Sequence, residues 1–292
     1  MPQQHQQQQA PHSPAKISAM RQAFRALHQS GCFLIPNPWD IGSARYLQGL
    51  GFKALASTSS GAAWSMGMAD NKLSREAVLA HLADIVNATD LPVNADFEGG
   101  FASDPQGVAQ SVRLALATGV AGLSIEDSTG DPASPLRTIE DAVARMKAAR
   151  AAIDDEAGGE ALLIGRAENF ISGRPDLADT IARLKAYAEA GADVLYAPGI
   201  STPEQIRAVV AAVAPKPVNL LVGSASAQTM DEIAALGVRR VSVGGALARS
   251  AWGGFMRAAQ TLKEQGRFDG FAAGASGAEL NGFFSSSPKA VP

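Results

Sequence analysis

Short apolar runs alternate with stretches of helical spacing along most of the chain. Met20, Phe24 and Leu27 recur at helical intervals, which predicts a helix over Ile17–His28. The run Cys32-Phe33-Leu34-Ile35-Pro36 predicts a strand, and Asp40 is placed to cap a helix over Ile41–Leu50. Further strands are predicted at Lys53–Ser57, at Val93–Asp96 after Leu91-Pro92, and at Gly122–Asp127. The last four fall at Ala161–Arg166, Asp193–Ala197, Pro217–Val222 and Arg240–Gly244. Helices fill the intervals: Ser74 to Ala88, Pro105 to Gly119, Thr138 to Ile153, Pro175 to Ala190, and Leu247 to Gln265. Thr202 with Gln205, and Thr229 with Glu232, predict capping boxes at two more.

The punctuation repeats. Gly51, Gly119, Gly191 and Gly237 each stand two or three residues before a strand, where a helix ends on a left-handed residue. Eight strands apolar on both faces and separated by helices predict an α/β fold, a (β/α)8 TIM-like barrel with an extra C-terminal helix. An open doubly wound sheet is the rival. No Gly-x-Gly-x-x-Gly follows the first strand, which weakens a dinucleotide reading. The expected division is a disordered Gln/His/Pro-rich tail over 1–15, the barrel over 16–266, and a C-terminal linker and helix over 267–292.

The net charge of -3 offers no basic excess for nucleic acid, and no apolar run is long enough to span a membrane. A single cysteine, Cys32, excludes an intramolecular disulfide. A cytoplasmic protein is the plain expectation.

In such a barrel, chemistry sits at the C-terminal ends of the strands. Those ends carry Ser60-Gly61, Asp96 with Glu98, Glu126-Asp127, Arg166 with Glu168, Tyr196, Asn219 and Gly244-Gly245. Converging carboxylates cannot all ionise without a counter-ion. Mg²⁺, which takes oxygen ligands and keeps several waters, would serve; so would pairing with Arg166, or capping of neighbouring helices. Arg166 is the residue type that clamps a carboxylate with two hydrogen bonds. The backbone amides around Ser60, Gly61 and Ala62 suit a carboxylate or carbonyl oxygen, or simply form a tight turn. The four histidines, His5, His12, His28 and His81, stand at no strand end, which argues against a Ser-His-Asp triad or a histidine-held zinc. The Gly/Pro/Ser-rich segment Ser128–Arg137 reads as a mobile lid or an inert surface loop.

The order Ser60-Gly61, Asp70, Ala95-Asp96, Ile125-Glu126-Asp127 and Arg166-Ala-Glu168-Asn-Phe-Ile-Ser-Gly173 resembles the isocitrate lyase/phosphoenolpyruvate mutase superfamily over about Ala23 to Gln260. The arginine-glutamate element is closer to the mutase-like branch. The resemblance implies a Mg²⁺-dependent lyase or phosphonomutase acting beside the carbonyl of a small 2-oxo acid or related 2-hydroxy di-acid. It implies metal-shell roles for Asp96 and Glu126, with Asp70 further out and Glu98 as an added candidate. It implies substrate contacts from Ser60, Gly61, Ala62 and Arg166; the strand-end Asn219 is a further substrate-binding candidate, and Arg166 and Glu168 are the catalytic candidates.

The chain also departs from that family. Its lid lacks the Lys-x-Cys-Gly-His motif of the lyases, and Asn94 stands where most members have aspartate. The lid leaves open a 2-oxo-acid-binding protein with lost catalysis. The apolar C-terminal segment Ala278–Phe284, after a flexible linker, suits packing on a neighbouring subunit of a homo-oligomer, a dimer or tetramer.

Overall fold

The computed structural model describes residues 11–286. In chain order the elements are α1 (Pro14–Leu27), β1 (Phe33–Ile35), α2 (Ile41–Gly49), β2 (Leu55–Ala56), α3 (Ser59–Ser65), α4 (Arg75–Ala88) and β3 (Val93–Asp96). They continue with α5 (Pro105–Ala117), β4 (Gly122–Glu126), α6 (Ile139–Ala157), β5 (Leu162–Arg166), α7 (Leu177–Glu189) and β6 (Val194–Tyr196). The remainder are α8 (Pro203–Val213), β7 (Val218–Leu221), α9 (Met230–Ala235), β8 (Arg240–Ser242), α10 (Ala246–Gln265), a 3₁₀ turn (Asp269–Phe271) and α11 (Gly277–Ser285).

All eight strands are parallel, in the order β1-β8-β7-β6-β5-β4-β3-β2. β1 and β2 share no ladder. A backbone bond from Ala56 N to Pro36 O (3.1 Å) and one from Asn37 Nδ2 to Ser57 O (2.9 Å) hold them side by side, so the barrel is nearly closed. This is the predicted α/β barrel. The four expected helix-ending glycines all have positive φ, from 85° at Gly51 to 103° at Gly191. Both predicted capping boxes form.

Two expectations change. His12, assigned to a disordered tail over 1–15, bonds the carbonyls of Val86 and Thr89. Ser13 then caps α1 by accepting from Lys16 N–H, with Pro14 in the first turn, so order begins before residue 16. Residues 1–10 of that tail lie outside the described residues. The second change is α3, in a segment expected to be a small-residue loop. Thr58 caps it, and its first amide, Ser59 N–H, donates to Asp96 Oδ2 at 3.0 Å. A carboxylate at the end of β3 thus adds to the cap of this short helix.

The interior of the barrel is built in two storeys. At the N-terminal end Phe24 of α1, fully buried, packs with Ile35, Ala54, Leu162, Ile164 and Val194. Burial on that scale contributes roughly 1.5–3 kcal/mol for the phenyl ring. Arg21 fixes the plug by donating to the carbonyls of Val120 and Leu116. The upper storey is different. There Asn94, Ser124, Asn219, Arg240 and Ser242 are all buried. Barrel interiors are ordinarily filled by Val, Ile and Leu, so this polar layer marks a site.

Candidate active site

The polar layer opens upward into a cavity of about 160 Å³. That is below the roughly 300–1,000 Å³ of sites for drug-sized ligands, so it suits an acid of a few carbons. Asp70, Asp96, Arg166, Tyr196, Asn219, Arg240 and residues Ser57–Ser60 line it.

Arg166 ends β5 beside β4, in register with Glu126 on one side and Tyr196 on the other. Its Nη1 lies 3.1 Å from Asp96 Oδ1 and 3.3 Å from Glu126 Oε2, and its Nε donates to Glu168. The guanidinium also lies over the Tyr196 ring, 5.2 Å from the centroid. Burial acts to lower the Arg166 pKa, but Glu168, Glu126 and Asp96 outweigh it and hold it well above its ordinary value.

The acids outnumber the cations. If Asp70, Asp96, Glu98, Glu126 and Glu168 all ionise, five negative charges face the two arginines that line the cavity, Arg166 and Arg240, a net of minus three. The physical response is protonation. Burial, opposed by Arg166, pushes both Glu126 and Glu168 up. Burial and then the Asp96 charge push Glu98 up to about 7. Asp70 is raised too, by burial, against a hydrogen bond from Ser59. Each raised carboxylate contributes stability that is present below its unfolded pKa and is lost as pH rises through its folded value. For Glu98 that window runs from the ordinary 4.5 to about 7. Melting temperature in metal-free buffer should therefore fall between pH 5 and pH 8. In Glu98→Gln the fall should be smaller; an identical fall would remove Glu98 from this account.

The acids are not arranged as a cage. No group of three acidic, histidine or cysteine side chains among the described residues is disposed to hold a bare metal ion. Asp96 and Glu126 are both turned toward Arg166, and Glu98 lies off the cavity wall. Its backbone adopts φ 46°, a left-handed conformation rare outside glycine, which turns the chain out of β3. The full four-acid shell expected from Asp96, Glu126, Asp70 and Glu98 is thus not assembled. The donor set does fit Mg²⁺ that keeps most of its water and takes one or two carboxylates, since Asp70 and Asp96 both face the cavity.

The expected oxyanion loop also changes. Ser60 lines the cavity, but Gly61 N–H donates to Thr58 Oγ1 and Ala62 N–H to the Thr58 carbonyl, because both lie in the first turn of α3. Gly61 is a packing glycine: a Cβ there would stand 2.7 Å from Thr58 Cγ2 and 2.9 Å from Trp39 Cβ. Asn219 lines the cavity with its amide already used, Nδ2 donating to Ser242 Oγ and Oδ1 accepting from Arg240 Nε. Asp127 is structural. Fully buried, it accepts from Tyr187, from Arg183 and from the Glu168 amide, so it fixes the turn that carries Glu168. The Ser128–Arg137 segment is a small hairpin, bridged between Ser128 and Leu136 and tied down by Arg183 to the Arg137 carbonyl. It does not line the cavity.

Two site residues carried no signal as single letters. Asn37 accepts from the amides of Val243 and Gly244 while donating to Ser57, joining β1, β2 and β8 at the rim. Arg240 opens β8 and points inward; only its register with Asn219 places it there.

The family model described as phosphoenolpyruvate phosphomutase matches residues 24–263. The chain belongs to this family, within the isocitrate lyase/phosphoenolpyruvate mutase superfamily. A candidate lyase/mutase from Burkholderia cenocepacia J2315 is 47% identical, with TM-score 0.89 over 95% of this chain and 100% of that one. The 2-methylisocitrate lyase of Escherichia coli K12 is 31% identical over 199 residues, 65% of this chain and 64% of that protein. An oxaloacetate acetylhydrolase, solved with its product oxalate, is 27% identical with TM-score 0.80 over 91% of this chain and 94% of that one. This phosphoenolpyruvate phosphomutase family member is therefore an enzyme of a superfamily of lyases and mutases. No described helix is long and apolar enough to cross a membrane.

Proposed function

We propose that the protein is a Mg²⁺-dependent lyase or phosphonomutase that acts on the bond beside the carbonyl of a small 2-oxo acid or related di-acid. The observation that carries the reading is the small polar cavity in which Asp70, Asp96 and Arg166 meet at the barrel's C-terminal rim. The relatives named 2-methylisocitrate lyase and oxaloacetate acetylhydrolase support the substrate class.

Asp96, with Asp70 beside it, would hold the ion directly or through water. When bound, Mg²⁺ supplies positive charge for the oxygen that becomes negative as the bond breaks, and it relieves the acid cluster. The chain's own residues do the rest. Arg166 keeps Asp96, Glu126 and Glu168 aligned and leaves its remaining guanidinium face for substrate. Burial raises the pKa of both Glu126 and Glu168 above the ordinary carboxylate value, so each holds a proton more readily than a free carboxyl, which suits general acid–base work in a site without histidine. Ser57–Ser60 supply hydroxyl and amide donors around the same space. The test is a turnover screen with Mg²⁺ over oxaloacetate, phosphonopyruvate, carboxyphosphonoenolpyruvate and methylisocitrate. Product from any one supports the reading, and none from all four counts against it.

A homo-oligomer, dimer or tetramer, is proposed on the strength of an exposed apolar surface. Phe255, Met256, Phe268 and Phe271 are each more than half exposed, and Trp252 lies beside them on α10. α11 touches its own chain through Phe283 against the Tyr46 ring, leaving Leu280 and Phe284 exposed. A chain ending after Gly266 should form smaller particles in light scattering; an unchanged particle mass would place the interface elsewhere.

A further inference from the structure

The cavity contains two arginines, and they differ in one respect. Arg166 has three carboxylate partners. Arg240, only 3% exposed, has none among the described residues. Its Nε donates to Asn219 Oδ1 at 2.8 Å, and its buried Nη1 has no hydrogen-bond partner. Asn219, Ser242 and Tyr196, which line the cavity with it, are neutral, and His28, on whose ring the Arg240 charge acts, is held uncharged by burial. Burial lowers the Arg240 pKa to about 10, which still leaves the guanidinium charged at neutral pH. A buried cation without a counter-ion is costly, and proteins that keep one ordinarily give it an anion. On β3, Asn94 Oδ1 is a buried acceptor without a partner, so the cavity lining is unsatisfied in two places.

The register shows what the two arginines have in common. Arg166, Tyr196, Asn219 and Arg240 are successive partners across β5, β6, β7 and β8. They therefore line one continuous stretch of the barrel wall, with Tyr196 and Asn219 between them. The acids of the lining are Asp70 and Asp96. Arg240, on β8, is the lining cation that no acid pairs with among the described residues.

We propose that Arg240 is the anion-recognition residue of the cavity and holds the second carboxylate of a short dicarboxylate substrate, whose carbonyl end faces the acids. This deepens the proposed function and rests on it for the carbonyl chemistry only. Arg166, the arginine that the sequence suggests as a clamp, is already saturated on Nε and Nη1. Arg240 is the guanidinium with capacity to spare. Its reach into the barrel, below the rim, also explains why the upper storey is polar rather than packed with Val and Leu.

The probes are succinate and monomethyl succinate, which differ by one negative charge. Calorimetry is run on the full chain with Mg²⁺ and again after chelation. The native protein should bind succinate about tenfold or more tightly than the half-ester, the scale of one charge-assisted hydrogen bond to a buried anion. Arg240→Gln keeps a donor for Asn219 but loses the charge. It should bind both probes equally, with an unchanged melting temperature. A native preference that survives in the folded Arg240→Gln protein overturns the assignment. If that variant does not fold, the native protein decides: succinate must raise the melting temperature more than the half-ester does, and equal shifts overturn the proposal. A preference that persists after chelation in a protein without turnover would uphold Arg240 while removing the metal reading. Metal-dependent turnover on a dicarboxylate with unchanged kinetics in Arg240→Gln would do the reverse.

Discussion

Asp96→Asn should lose turnover by about 10²–10³-fold while the barrel stays folded. Asp96 joins Arg166 to the first turn of α3. Oδ1 pairs with Arg166, Oδ2 accepts from the first amide of α3, and the side chain faces the cavity. Asparagine keeps an acceptor for Ser59 N–H, so the helix cap survives. It loses the charge that orders Arg166 and would attract Mg²⁺. The loss should appear in kcat more than in melting temperature, which should move by only a few degrees. A variant with native rates would show that Asp96 is merely a helix cap.

Arg166→Met should be the most damaging change to stability. It removes the only cation among the described residues that pairs with Asp96, Glu126 and Glu168. Removing one partner of a buried ion pair typically costs about 3–5 kcal/mol. The sign with pH is fixed by the direction of the acid shifts. Without Arg166 the carboxyls of Glu126 and Glu168 are pushed further up, so stability is lost as pH rises and is retained where they are protonated. Urea unfolding should show a larger deficit at pH 8 than at pH 5, and added Mg²⁺ should recover part of it. An equal deficit at both pH values would mean that Arg166 contributes packing rather than charge.

The barrel was legible because its signals are local. Glycine at the end of a helix, a cap at its start and an apolar run between them need no knowledge of the rest of the chain. The acids were legible as a class for the same reason, since they stand where strands stop. Their division of labour was not. Whether Asp127 faces the cavity or the α7 pair Arg183 and Tyr187 depends on the alternation of side chains along β4. Glu98 leaves the wall because its backbone turns left-handed, which nothing in the letters Asp-Phe-Glu-Gly announces. The segment from Ser59 to Ser65 mixes Ser and Gly with Ala, and the carboxylate of Asp96, which accepts from its first amide, arrives from a strand the local sequence does not announce. Arg240 reads as the polar start of a strand, and only the barrel's stagger carries it beneath the site.

The central claim is that this acid-rimmed cavity works with a divalent ion. The most direct measurement is turnover of whichever 2-oxo acid proves active, followed while Mg²⁺ is removed and restored. Exhaustive chelation should abolish product formation, and added Mg²⁺ should return it. Full activity in the chelated enzyme would contradict the account.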